Sequence, residues 1–104
     1  MSGSGSGGYT PSPRTSFDCE TGTIITSLSS VNIEALPSHS VGDLLIVEIY
    51  KNTIVVVDNN GEILGSILHS NVNELKDCIE LGNQYTARIT SITETSCTVR
   101  IYRN

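Results

Sequence analysis

The sequence predicts a mainly β domain of about six strands, mostly antiparallel, with one α-helix between the central and the C-terminal strands. Two observations carry that prediction. Between Val41 and Leu68 three apolar, β-branched runs follow one another, Leu44 to Tyr50, Thr53 to Val57 and Glu62 to Leu68. The short polar stretches Tyr50-Lys51-Asn52 and Asp58-Asn59-Asn60-Gly61 separate them, and the Asn-Gly pair of the second suits the positive φ angles of a tight hairpin turn. After Leu68 the apolar spacing lengthens to three and four residues at Val72, Leu75 and Ile79, with Cys78 beside them, which is the period of an amphipathic helix.

In chain order, residues 1–16 (MSGSGSGGYTPSPRTS) are dominated by Gly, Ser and Pro and read as a flexible tail or linker; the single folded domain is expected over 17–104. Thr23 to Leu28 and Val31 to Leu36 are two β-like runs interrupted by Ser29-Ser30, readable as one bulged strand. Pro37-Ser38-His39-Ser40 is a loop, because proline cannot donate to a ladder. Asn71 and Glu74 form an acceptable capping pair for the helix, and Gly82 is a natural stop. Two more strands follow, Gln84 to Ile92 and Ser96 to Tyr102. Alternation sends Ala87, Ile89, Val99 and Ile101 to one face and Arg88, Thr90, Arg100 and Tyr102 to the other.

The 104 residues carry six Lys plus Arg against eleven Asp plus Glu, a formal net charge of −5, which works against nonspecific attraction to nucleic acid or an anionic membrane. Any phosphate contact must therefore be local, and residues 85–104, with Arg88, Arg100 and Arg103 against Glu94 alone, form the one basic, Thr-rich stretch. Cys19, Cys78 and Cys97 are odd in number and widely spaced, with no CxxC pair; they read as three reduced thiols, which implies a cytoplasmic protein. No apolar run reaches the ~20 residues of a membrane span, and no partnership with a membrane is expected.

A catalytic constellation is missing from the pattern. His39 lies between serines in a turn and His69 at a strand-to-helix junction, neither with a second histidine at metal-ligand spacing. The carboxylates are dispersed, Asp58 and Glu62 flanking a turn and Glu74, Asp77 and Glu80 on the helix, which suits solvation. Neither a calcium loop nor a phosphate-cradling glycine loop is present, so no cofactor, no metal and no enzymatic activity are expected.

Across Tyr50 to Ile67, YKNTIVVVDNNGEILGSI, the chain resembles the HIRAN domain family, whose pattern runs Asn-Pro-Tyr-Asp-x-Asn-Ala-Ile-x-Val, a turn, then Gly-x-x-Val-Gly-hydrophobic. Tyr50, Asn52, Ile54, Val56, Gly61 and Gly65 match that order, and the helix with its exit through Gly82 to Ala87 is similar. The resemblance covers roughly residues 41–101. It implies an OB-like, twisted β-barrel that grips the 3′ end of single-stranded DNA without catalysis, with Tyr50, Lys51 and Asn52 nearest to an end-binding site and Arg88, Arg100 and Arg103 as phosphate contacts. Glu48-Ile49 stands in place of the family's Asn-Pro, and Ser66 follows the second glycine. Those departures leave an alternative open: a protein-interaction or regulatory module that kept the barrel, with a partner or second copy adding to an edge strand near Thr23 to Leu28 or Ser96 to Tyr102.

Overall fold

The computed structural model describes residues 17–104; the expected flexible tail lies outside the described residues. Six antiparallel strands form one curled sheet: β1 (Ile24–Ser27), β2 (Leu44–Tyr50), β3 (Thr53–Val57), β4 (Ile63–Ser66), β5 (Tyr85–Ile92) and β6 (Cys97–Arg103). One helix, α1 (Val72–Glu80), joins β4 to β5. The sheet order is β1-β6-β5-β2-β3-β4, so the chain's first strand lies at the opposite edge from β4.

Curling brings those two edges together. Beyond β1, Ser29 and Ser66 exchange two backbone hydrogen bonds of 2.8 Å, and the N–H of Asn32 donates to the carbonyl of Leu64 at 2.8 Å. The approach depends on Gly65: a Cβ there would stand 2.9 Å from the Cβ of Leu28 and 3.1 Å from the carbonyl oxygen of Ser29. Only a residue without a side chain lets the half-barrel meet its own edge this closely.

The inner face carries the core. Ile24, Leu45, Val47, Ile54, Val56, Leu64, Ala87, Ile89, Val99 and Ile101 are buried in one cluster, and α1 adds Leu75 and Cys78 to it. The expected alternation on β5 and β6 holds, with Arg88, Thr90 and Arg100 exposed on the outer face and Tyr102 half-buried there. The helix runs over the predicted residues and ends as expected: Gly82 takes φ +107°, and the N–H of Asn83 donates to the carbonyl of Cys78. At its start, no Asn71 side-chain cap forms; the N–H of Asn71 donates to Nδ1 of His69 at 3.1 Å. His69, at the strand-to-helix junction, thus holds the residue that starts the helix.

Three local expectations are corrected. Val31 to Leu36 is not a strand. Ser30 adopts φ +51° after the Ser29–Ser66 bridge, turning the chain away from the ladder into turns and a short 3-10 helix (Leu36–Ser38). Its apolar residues Ala35 and Leu36 are buried all the same, so the end of the run packs on the core without pairing in the sheet, while the β-branched Ile33 is exposed. The tight two-residue turn is Lys51-Asn52, with φ +51° and +67°, between the paired residues Tyr50 and Thr53. At the second turn only Gly61 has positive φ, and Asp58 organises the loop: its Oδ1 accepts from the N–H groups of Asn60 and Glu62, both at 2.9 Å.

The cysteines are the third correction. Cys19 and Cys78 form a disulfide, with Cα atoms 5.5 Å apart, and only Cys97 remains a free, buried thiol. The premise from which a cytoplasmic location was expected is thereby removed. The bridge ties the segment before β1 to α1, and the hydroxyl of the buried Tyr85 reinforces it by donating to the carbonyl of Cys19 at 2.6 Å. Among the described residues no helix is long and apolar enough to cross a membrane.

Candidate functional site

The six residues expected to contact nucleic acid fall in three places. Arg88 and Arg100 are direct cross-strand partners on β5 and β6, both exposed on the outer face. Partners so placed in an antiparallel pair hold their Cβ atoms about 5 Å apart. Ile25 lies opposite Arg100 and Leu44 opposite Arg88, so one row across four strands reads Ile25, Arg100, Arg88, Leu44. Along β6 the guanidinium of Arg100 sits 5.5 Å from the ring centroid of Tyr102, whose own cross-strand partner is Thr86 and then Ile46.

These two rows contain no carboxylate. Among the described residues neither arginine has an acidic group within ion-pair distance; the ion pairs present there both involve His39. Two guanidinium groups therefore face each other uncompensated, an arrangement that costs stability in a sheet.

Arg103 lies apart from them. It follows Val99 and Ile101 in the alternation, pairs with Tyr85 and reaches the end of the sheet on the inward side. There its charge bears on the Tyr85 phenol, whose pKa burial pushes up, with Asp18 raising it further and Arg103 opposing. Tyr50, Lys51 and Asn52 occupy the β2–β3 hairpin tip, six positions along β2 from Leu44, which at about 3.3 Å per residue is roughly 20 Å from the Arg88 row. Tyr50 is half exposed with the Lys51 ammonium 5.4 Å from its ring centroid, and the Asn52 oxygen accepts a hydrogen bond from Lys76 on α1. The structure thus joins Arg88 to Arg100, adds Tyr102, and separates Arg103 and the hairpin tip from both.

A second cluster was not legible in the sequence. The His39 ring is about nine-tenths buried between two carboxylates, Nδ1 lying 3.3 Å from Asp43 Oδ2 and Nε2 3.4 Å from Asp58 Oδ2. The N–H of Glu62 is the main influence that holds the Asp58 carboxyl below its ordinary value; desolvation opposes it, and the N–H of Asn60 and His39 assist. The expectation that Asp58 is simply solvated is corrected: it is buried and accepts from two backbone donors. The i, i+4 spacing of His39 and Asp43 is a weak signal, and nothing local points to Asp58. No nucleophile is held by this histidine among the described hydrogen bonds, so its geometry is that of a clamp between the loop before β2 and the turn after β3. Among the described residues no group of His, Cys, Asp and Glu has metal-holding geometry.

Compared with models of protein families, with curated proteins and with solved structures, the chain finds no match.

Proposed function

We propose that this domain is a noncatalytic module that binds single-stranded nucleic acid across the outer face of β1, β6, β5 and β2. The observation that carries the reading is the Arg88–Arg100 pair, two uncompensated cations opposite each other on a chain of net charge −5. Two successive phosphates, one on each guanidinium, would convert a local repulsion into two charge-assisted contacts. Tyr102 beside Arg100 offers a ring for one base, a contact worth about 1–3 kcal/mol, and the exposed Ile25, Leu44 and Ile46 supply apolar surface next to it. The resemblance to the HIRAN family supports the same partner, single-stranded DNA, while the geometry favours Arg88, Arg100 and Tyr102 over the hairpin tip as its contacts.

Fluorescence anisotropy with a labelled single-stranded oligonucleotide, with free and blocked 3′ ends, tests this. Tyr102→Ala should weaken binding about tenfold, the equivalent of ~1.4 kcal/mol. Loss with Tyr50→Ala and none with Tyr102→Ala would place the contact at the hairpin tip, and dependence on a free 3′ end would identify end recognition. Binding that neither tyrosine affects would refute a stacking site.

A further inference from the structure

The ladder between β2 and β5 covers only part of β2. It pairs Leu44 with Arg88, Leu45 with Ala87 and Ile46 with Thr86, and there it stops, although β2 continues to Tyr50. β5 begins at Tyr85, one residue past Thr86, so beyond Ile46 that side of β2 borders a cleft of about 720 Å³. Its floor is β2 from Ile46 to Ile49, and its far wall is the exit of α1, with Ile79 and the Gly82–Gln84 segment.

The free side of β2 has a defined chemistry. Tyr50 and Thr53 flank a two-residue turn and so form a hydrogen-bonded pair, which directs the N–H and C=O of Tyr50, Glu48 and Ile46 toward β3. The backbone groups of Ile49 therefore point the other way, to the side where Asp43 already accepts from Ile89 and where, past the end of the ladder, no strand lies beside them. Unpaired strand groups of this kind are a template for an added strand.

Charge narrows the occupant. Glu48 is the charged side chain on the cleft lining, it is exposed, and it makes no ion pair among the described residues. The C-terminal end of α1, the negative pole of the helix, opens onto the same cleft, and Glu80 lies in its last turn. An anionic strand is disfavoured on both counts. Of the two edges named from the sequence, Ser96 to Tyr102 lies in β6, which is interior and paired on both sides by β1 and β5; β1 is an edge strand whose second side is bonded onward to β4 only past its end, at Ser29 and Ser66.

We infer that the cleft between β2 and the α1 exit binds an extended peptide by strand addition to the free side of β2, with a Lys or Arg of that peptide against Glu48. Alternate side chains of the peptide enter toward Ile49 and Ile79, and the basic residue, on the opposite face, stays at the mouth beside Glu48. The inference is separable from the nucleic-acid reading, because its contacts are Glu48, Ile49 and Ile79 and its charge preference is opposite, although the cleft borders the outer-face row at Ile46 and Thr86.

The test is amide NMR of the whole chain titrated with a blocked heptapeptide in which Val alternates with Thr and Lys, to about 1 mM, the regime of weak single-strand addition. Shifts centred on Val47–Ile49 and Gly82–Gln84, with slowed exchange of the Ile49 amide, support the inference. Two comparisons give it sharper edges. Replacing Lys by Glu in the peptide should weaken binding about tenfold, and Glu48→Lys, an exposed position, should reverse that preference. A peptide N-methylated on alternate amides of the pairing edge should lose binding. No shifts with the Lys peptide, shifts lying elsewhere on the surface, or equal binding of the N-methylated peptide would each overturn it.

Discussion

Reducing the Cys19–Cys78 bridge is the perturbation whose size follows most directly from the structure. The two cysteines lie 59 residues apart in sequence, so the bridge closes a loop that takes in β1 to β4 and nearly all of α1. In the chain-entropy account, a loop of about 60 residues removes about 14 cal/mol/K from the unfolded ensemble, or about 4 kcal/mol at 25 °C. Against total stabilities of about 5–15 kcal/mol that is a large share. With a urea m-value of about 1–2 kcal/mol/M, reduction should lower the unfolding midpoint by roughly 2–4 M without changing its cooperativity. The core cluster on the inner sheet face does not depend on the bridge for its contacts, so the reduced chain should still fold at low denaturant if the remaining stability is positive. The assay is urea unfolding followed by circular dichroism, with and without dithiothreitol, on air-oxidised protein. Thiol titration of the unfolded, unreduced chain should count one thiol, Cys97, and all three cysteines after reduction. Three thiols before reduction, or a midpoint that ignores dithiothreitol, would refute the reasoning.

Other consequences are smaller and separable. Gly65→Ala should cost about 1–3 kcal/mol, read as a fall in urea midpoint, because the new methyl meets the Leu28 Cβ at 2.9 Å where β4 approaches the chain beyond β1. Tyr85→Phe removes a buried hydroxyl that donates to Cys19 and should cost about 1 kcal/mol, leaving the carbonyl of Cys19 without that donor. Asp58 has a folded pKa below its ordinary 3.8, so its contribution is full above that value and is lost as the pH falls through the folded value. Asp58→Asn should therefore flatten the loss of stability below about pH 4, measured by urea midpoints across the acid range, and Asp18, also lowered through the N–H groups of Thr21 and Glu20, should keep part of the slope in the variant.

What the sequence exposed was its periodicity. The β-branched runs from Leu44 to Val57 and the three-and-four spacing from Val72 to Ile79 state their structure locally, and Gly82 marks a helix end because the chain there needs a positive φ. Val31 to Leu36 shows the limit of that reading. A run that reads as β-like ends up in turns because one residue, Ser30, takes a left-handed conformation after a bridge to a strand 37 positions away. The disulfide was hidden for a similar reason. Spacing cannot pair Cys19 with Cys78 until curling of the sheet brings the segment before β1 against α1.

For the site, alternation correctly placed Arg88 and Arg100 on one face, but only strand register reveals that they are direct opposites. Arg103 was grouped with them by sequence proximity, and its odd step from Arg100 puts it on the other side of the sheet. His39 and Asp58 belong to a loop and a turn that meet only in three dimensions, and that β2 runs on past the start of β5 is visible only once the register is known.

The most direct measurement of the central reading is the salt dependence of single-stranded DNA binding by the wild-type chain, Arg88→Ala and Arg100→Ala. Two phosphate contacts predict a slope of log K against log salt of about −1.4, falling to about −0.7 in either variant. Unfolding midpoints of the variants should be unchanged or slightly raised, because removing one of two opposed cations relieves repulsion. Wild-type binding with that slope, weakened in folded variants, is the predicted result. No binding at about 100 μM, or an affinity and slope that both variants leave intact, would contradict it.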